Sequence, residues 1–236
     1  MKIITVKNLN QMGDMAAEII AKQIQTKPNC VLGFATGGSP VGTYRKMIDM
    51  NNAGTLDFSR VTSFNLDEYC GIPRTNTQSY YYFMMDKLFS HVNINKKNIS
   101  IPNGMAKDLG SECAGYEEKI ARAGGIDLQI LGVGYNGHIG FNEPDTVFHN
   151  KTRQVELATD TINANKRFFA CADDVPKTAL SMGIGTIMAA RKIVLVAGPE
   201  KRNVIQQLKK DTVSPQLPVS ILHYHPDCTI IFAEEK

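Results

Sequence analysis

Three short segments combine glycines with groups able to hold an anion or carry a proton. The first is Thr36-Gly37-Gly38-Ser39-Pro40. Paired glycines let backbone N–H groups approach a ligand, and a helix starting just beyond adds its positive end. Thr36 and Ser39 add hydroxyl donors. This suits a phosphate or other anion, although a plain strand-to-helix turn has the same composition. No Gly-Lys-Ser/Thr follows, so it is not a Walker loop. The second segment is Asp67-Glu68-Tyr69. Two adjacent carboxylates suit a general base with a supporting acid, or equally the charge at a helix N-terminus or a solvated turn. The third runs Gly132-Val133-Gly134-Tyr135-Asn136-Gly137-His138-Ile139-Gly140-Phe141-Asn142-Glu143-Pro144. Its start matches G-x-G-x-x-G, but a dinucleotide fingerprint requires an uninterrupted helix after the glycines. Gly140, Asn142 and Pro144 break this segment within a turn or two, which favours a glycine-rich catalytic loop. His138 and Glu143 are five apart and would not stack on one helix face. In a loop they can meet, the carboxylate orienting the imidazole; a structural histidine is the alternative. Arg167, Lys201 and Arg202 are further cations for an anion, or solvated charge. His223-Tyr224-His225 would put two imidazoles on one face of a strand, with no third metal ligand evident nearby.

The elements that must position these groups are short apolar runs alternating with amphipathic stretches. Ile3–Val6, Cys30–Ala35, Val61–Leu66, Leu128–Val133, Lys192–Ala197 and Thr229–Ala233 read as strands. Met12, Ala16, Ile19, Ile20 and Ile24 follow helical spacing, as do Leu109, Cys113, Tyr116 and Ile120. Further helices are expected from about Val41, over Tyr80–Phe89 and from about Lys201. Strands alternating with helices predict an α/β fold, a mostly parallel sheet with helices on both faces. In such sheets ligands sit outside the carboxyl ends of the strands, where the strand order reverses. Each of the three segments follows a predicted strand, and Lys201 follows a fourth.

The bulk properties set the frame. The chain has 236 residues, 43% of them hydrophobic and 21% charged, which predicts one compact domain over 1–236. A net charge of +3 is too mild to imply nucleic acid or an acidic membrane face. No apolar run approaches the roughly 20 residues of a membrane span, and Met1–Val6 lacks the pattern of a signal peptide. Five scattered cysteines, without a C-x-x-C pair, fit a reducing cytoplasm better than a disulfide framework. By themselves these observations reach an enzyme, or a sensor, for a small phosphorylated or acidic metabolite.

Leu32–Pro40, Phe64–Tyr69 and Gly132–Pro144, in this order and spacing, closely resemble the glucosamine-6-phosphate deaminase family. Ser79-Tyr80-Tyr81 and Arg167-Phe168-Phe169 match as well, and the resemblance covers essentially the whole chain. It implies a Rossmann-like sheet and a reaction without metal or redox cofactor. Glucosamine 6-phosphate and water would become fructose 6-phosphate and ammonia. It also implies Asp67 as the base at C2, and His138, oriented by Glu143, as the group that moves the ring-opening proton. Thr36, Gly37, Gly38, Ser39, Arg167 and Lys201 would hold the phosphate. A mobile lid around 157–180, with Arg167 on it, would shield the intermediate. The expected partner is a small sugar phosphate, with no nucleic acid or membrane, and the chain a monomer or small homo-oligomer.

Two departures from the family pattern stand out. Asn136 occupies a position where well-known bacterial members carry Asp; an amide can orient His138 but not polarise it. The chain stops at Lys236, where longer members extend into an allosteric site and hexamer contacts. Arg153 matches one allosteric position, but Val155 stands where a lysine is expected. The competing readings are a 6-phosphogluconolactonase, disfavoured by Asp67-Glu68 together with Asn142-Glu143-Pro144, and a sugar-phosphate sensor. The latter wants an appended DNA-binding helix pair, for which the N-terminus leaves no room.

Overall fold

In a computed structural model of the chain, residues 1–158, 162, 169 and 175–236 are described. Seven strands form one parallel sheet: β1 (Lys2–Asn8), β2 (Val31–Phe34), β3 (Thr62–Asn65), β5 (Ile99–Ser100), β6 (Leu128–Leu131), β9 (Ile193–Ala197) and β10 (Cys228–Glu235). Their order is β1-β10-β9-β6-β2-β3-β5. The chain builds outward from β2 through β3 to β5, then returns to place β6 on the other side of β2. The strand order therefore reverses between β2 and β6.

β2, β6 and β9 are buried at every position, as continuous apolar runs in a covered parallel sheet should be. Five helices bear on the argument: α1 (Leu9–Thr26), α2 (Val41–Asn52), α3 (Tyr80–Met84), α4 (Leu109–Arg122) and α6 (Arg202–Leu208), with α5 (Ile184–Met188) a short connector. Asn8 caps α1 by accepting from the Gln11 N–H, and Asp108 caps α4 by accepting from Ser111. Phe34 of β2 meets the Tyr44 ring of α2 edge-on at 5.8 Å. Phe64 of β3 meets Tyr116 of α4 at 5.6 Å. Phe34 lies beside Asn65 in the register, and Phe64 beside Gly33. Because neighbouring strand residues face opposite ways, α2 and α4 cover opposite faces of the sheet.

The strands expected from the sequence are all present; β2, β3, β6 and β9 are trimmed by a residue or two, while β1 and β10 run a residue or two longer at both ends. Tyr80–Phe89 divides into α3 and a π-helical turn over Met85–Phe89. The sequence reading did not anticipate a second, antiparallel sheet of β4 (Asp67–Tyr69), β8 (Thr178–Ser181) and β7 (Arg153–Glu156), in the order β4-β8-β7. β4 follows β3 after a single residue, Leu66, so one run of chain serves both sheets. His223 and His225 require a correction. They lie in and just after a 3-10 helix, Pro218–Tyr224, not on a strand. His223 Nε2 bonds the Leu208 carbonyl, and His225 Nε2 that of Ala190, so the two rings are engaged in different places. Among the described residues no helix is long and apolar enough to cross a membrane.

At the amino ends of the strands, the buried Asp127 accepts from the Val31 N–H at 2.8 Å, from Lys27 Nζ and from Arg191 Nη1. It joins the starts of β2 and β6 to the loop before β9. Replacing it by Ala leaves the Val31 N–H buried without a partner, so Asp127→Ala should lower stability by about 1–3 kcal/mol in urea unfolding. Because the opposite end of the sheet carries the candidate site, its catalytic efficiency should stay within about twofold, since no side chain there is touched.

Candidate active site

A cavity of about 440 Å³ opens where the carboxyl ends of β2, β3, β6 and β9 converge, at the point where the strand order reverses. Thr36, Gly37, Gly38 and Ser39 line it from the turn after β2, and Asp67 from the start of β4. Asn136 and His138 line it from the loop after β6, and Lys201 from the 3-10 turn after β9. Arg167 lies outside the described residues.

The β2 turn leads into α2, whose first bond runs from the Tyr44 N–H to the carbonyl of Pro40, a residue with no N–H of its own; the N–H groups of Gly42 and Thr43 precede it, and the positive end of the helix dipole lies beside the turn. Gly37 adopts φ +98°, a conformation costly for any residue with a side chain. The buried Tyr44 hydroxyl donates to the Ala35 carbonyl and accepts from the Ala35 N–H, fixing the strand end from which the turn departs. Lys201 is a mostly buried cation of the cavity wall, and loss of water, partly offset by the neighbouring Glu200, pulls its pKa below the ordinary lysine value.

Asp67 and Glu68 are neighbours in sequence but do different work. As successive strand residues they point to opposite sides of β4. Glu68 accepts from the backbone N–H groups of Tyr69, Tyr80 and Tyr81 at 2.8–2.9 Å. It thus holds the start of α3, with Ser79 accepting from the Tyr82 N–H. Of the readings open for this pair, helix-terminus charge holds for Glu68, and a supporting acid does not. Asp67 faces the cavity, and its Oδ1 has no hydrogen-bond partner among the described residues. Desolvation, aided by the charge of Glu68, pushes its pKa up to about 8. A carboxylate so poised can both take and return a proton near neutral pH.

The loop after β6 is a turn, not a helix, in line with rejecting a dinucleotide site. The Gly134 N–H donates to the His138 carbonyl at 2.9 Å, and the Gly137 N–H to the Gly134 carbonyl at 3.1 Å. The His138 ring lies so close to Gly134 that a Cβ there would sit 2.2 Å from it. His138 Nδ1 is 3.2 Å from Glu143 Oε2, and Asn136 Nδ2 donates to that same oxygen at 2.6 Å. Asn136 Oδ1 accepts from the His138 backbone N–H, not from its ring. The amide therefore positions Glu143, and Glu143 positions the imidazole. With Glu143 ionised, Nδ1 carries the proton and Nε2 keeps its lone pair.

Several supporting residues escaped the sequence reading. Ser181 Oγ of β8 accepts from the Phe141 N–H. Asn142 Nδ2 donates to the carbonyls of Ile139 and Met182. Arg153 Nη1 donates to Asn142 Oδ1 at 2.9 Å, so the residue at a family allosteric position here braces the loop beside Glu143. Tyr80 lines the cavity and stacks on Phe141 at 6.0 Å. Nothing in spacing or composition marks Ser181 or Arg153 as a brace: Ser181 lies 40 residues beyond Phe141, and Arg153, though only 11 from Asn142, is brought to it by the second sheet. Asn142 and Tyr80 lie inside recognisable segments, without a legible role.

Comparison with known proteins follows from this geometry. Residues 7–231 match the family model of glucosamine-6-phosphate isomerases and 6-phosphogluconolactonases. A glucosamine-6-phosphate deaminase of Thermoanaerobacter pseudethanolicus is 53% identical over 236 residues, covering 100% of this chain and 93% of that protein. One from Clostridioides difficile is 51% identical, covering 100% and 94%. A solved structure described as a monomeric glucosamine-6-phosphate deaminase superposes with a TM-score of 0.96 at 41% identity, over 99% of this chain and 97% of that one. A 6-phosphogluconolactonase from Thermotoga maritima, 20% identical with a TM-score of 0.76 over 100% and 99%, shares the fold.

The Asn136–Glu143–His138 chain predicts a graded series. Glu143→Gln should lower turnover by about 100-fold or more, the scale of a disabled proton-transfer group. Asn136→Ala, which removes one hydrogen bond to a carboxylate, should cost about tenfold. Asn136→Asp sets two carboxylate oxygens where a donor and acceptor now meet. A shared proton holds them together at low pH, so the activity of this variant should fall as pH rises and both ionise. Steady-state rates against pH for the three variants test the order.

Proposed function

The chain belongs to the family of glucosamine-6-phosphate isomerases and 6-phosphogluconolactonases, and we propose that Asp67, His138 and Glu143 carry out its chemistry in the cavity described. The activity is aldose–ketose isomerisation with deamination, glucosamine 6-phosphate and water giving fructose 6-phosphate and ammonia. His138 Nε2 takes the proton of the anomeric hydroxyl and passes it to the ring oxygen, opening the pyranose. Asp67 removes the proton from C2, leaving an enolamine, and returns it at C1, leaving an imine at C2. Water adds to that carbon and ammonia departs. Thr36, Gly37, Gly38, Ser39 and Lys201 hold the phosphate, Lys201 as a point charge, with Arg167 adding a planar fork.

The observation that carries this reading is the cavity-lining carboxyl of Asp67, whose Oδ1 has no hydrogen-bond partner among the described residues. An isomerisation needs a group that takes a proton from carbon and gives it back on one face. Lactone hydrolysis removes no proton from carbon and leaves this feature unused. The substrate's amine, when protonated, would favour the ionised carboxyl beside it.

Our reading extends to a lid around 157–180. β7 and β8 pair antiparallel, and the Leu157 N–H donates to the Lys177 carbonyl, so the connection that contains Arg167 starts and ends at one place. The far end of that range, from Thr178, is already strand. We further place the protein in the cytoplasm as a monomer or small oligomer that binds neither nucleic acid nor membrane. Free thiols at Cys30, Cys70, Cys113 and Cys228, and the relative described as monomeric, support this.

Asp67→Asn tests the central assignment. Ammonia release and exchange of the C2 hydrogen with solvent should both fall by at least 1,000-fold, on the scale of general-base catalysis, while a phosphate ligand still binds. Wild-type exchange in the variant would refute the role. Stability should move the other way. A carboxyl with a native pKa near 8 and an ordinary value of 3.8 when unfolded holds its proton longer in the native state. The contribution of this group to wild-type stability is then greatest below about pH 4 and declines up to about pH 8. Asp67→Asn lacks this decline, so its melting temperature should exceed that of wild type by a margin that widens across the same interval.

A further inference from the structure

Tyr135 sits between the two glycines Gly134 and Asn136-Gly137 of the active-site loop, yet it has no part in the proton transfers above. Its side chain is 71% exposed, while it also lines the cavity. The ammonium of Lys201 lies 3.4 Å from the centroid of its ring. Lys201 itself is 8% exposed and comes from a different strand end, after β9. A single exposed ring is ordinary on a protein surface; what sets this one apart is its place over the cation of the cavity.

We propose that Tyr135 is a positioning residue for anion binding: its ring face replaces water on one side of the Lys201 ammonium and fixes that charge at the cavity wall for the substrate's phosphate. The inference rests on the assignment of Lys201 to the phosphate. An aromatic face carries a negative quadrupole and attracts a cation without neutralising it. A carboxylate at the same place would compete with the phosphate for the ammonium, whereas a ring leaves N–H donors free for the anion. Burial denies Lys201 most of its hydration, so the ring supplies what water cannot. The partly dry ammonium then meets an incoming dianion with little solvent to shed. The high exposure of Tyr135 means the contact serves the cavity and not the core. Glu200, which also lines the cavity, is exposed and adjacent in sequence to Lys201; it balances the charge from the solvent side.

The test compares Tyr135→Leu, Tyr135→Phe, Lys201→Ala and the double variant Tyr135→Leu/Lys201→Ala. The readouts are KM and kcat for glucosamine 6-phosphate, and competitive inhibition by inorganic phosphate. Tyr135→Leu should raise both KM and the phosphate inhibition constant by about 3- to 30-fold, the range of a partly desolvated cation–π contact, with kcat changed far less. Tyr135→Phe keeps the ring face and should stay near wild type. In the Lys201→Ala background, Tyr135→Leu should add nothing. Overturning results are an unchanged phosphate inhibition constant in Tyr135→Leu, an equal loss in Tyr135→Phe, or full additivity with Lys201→Ala. If Lys201→Ala alone leaves phosphate inhibition intact, the phosphate assignment of Lys201 fails, and the two failures are thereby told apart.

Discussion

Keeping the carboxyl of Asp67 out of water is the constraint around which this structure is organised. A buried carboxyl with a bare oxygen is costly in its ionised form, and the protein answers by raising its pKa to about 8. That environment has to be built from all sides. β4 supplies the backbone, and Tyr80, Phe141 and Leu66 supply the walls. Glu68, one residue on, is turned away and engaged by three backbone N–H groups, so its charge is held in place beside Asp67 without occupying the cavity. The same pair of carboxylates thus yields one reactive group and one structural anchor.

The small antiparallel sheet explains how a glycine-rich loop can present a histidine with definite geometry. Asp67, Ser181 and Arg153 lie in one row across β4, β8 and β7. From that row Ser181 receives the Phe141 N–H, and Arg153 reaches Asn142. Met182, just after β8, accepts from the Asn142 amide. The C2 base and the loop carrying His138 and Glu143 are therefore referenced to the same few strands. A displacement of one is shared by the other, which suits a reaction whose proton transfers must occur on one bound substrate.

The remaining charges divide by function. In the proposed assignment, anion recognition falls to the turn after β2, Lys201 after β9 and Arg167, and proton handling to the ends of β3 and β6. The parallel sheet brings these four ends to one side, and the reversal of order between β2 and β6 opens the space between them. Asn136 fits this division as a neutral donor to the Glu143 oxygen that also faces His138 Nδ1.

Much of this was legible in the sequence because it depends on local chemistry. Buried parallel strands must be continuous apolar runs, so β2, β6 and β9 could be read directly, to within one or two residues at their ends. The glycines around Thr36 and His138 and the helix-breaking Asn142 and Pro144 marked loops, and the loops fall at strand ends. What tertiary structure alone decided is everything that depends on distant elements meeting. Asp67 and Glu68 look equivalent in sequence; only the pleat of β4 and the arrival of α3 send one to the cavity and the other to a helix end. The His223–His225 spacing suggested a shared face, but the chain there is a 3-10 turn whose rings find separate carbonyls. Ser181 and Arg153 carry no local signature, since their role exists only because an antiparallel sheet forms from segments more than 80 residues apart. Periodicity and composition report what each segment does with water and with its own backbone. The direction of each side chain toward another element is set by the packing of the whole, which no single segment encodes.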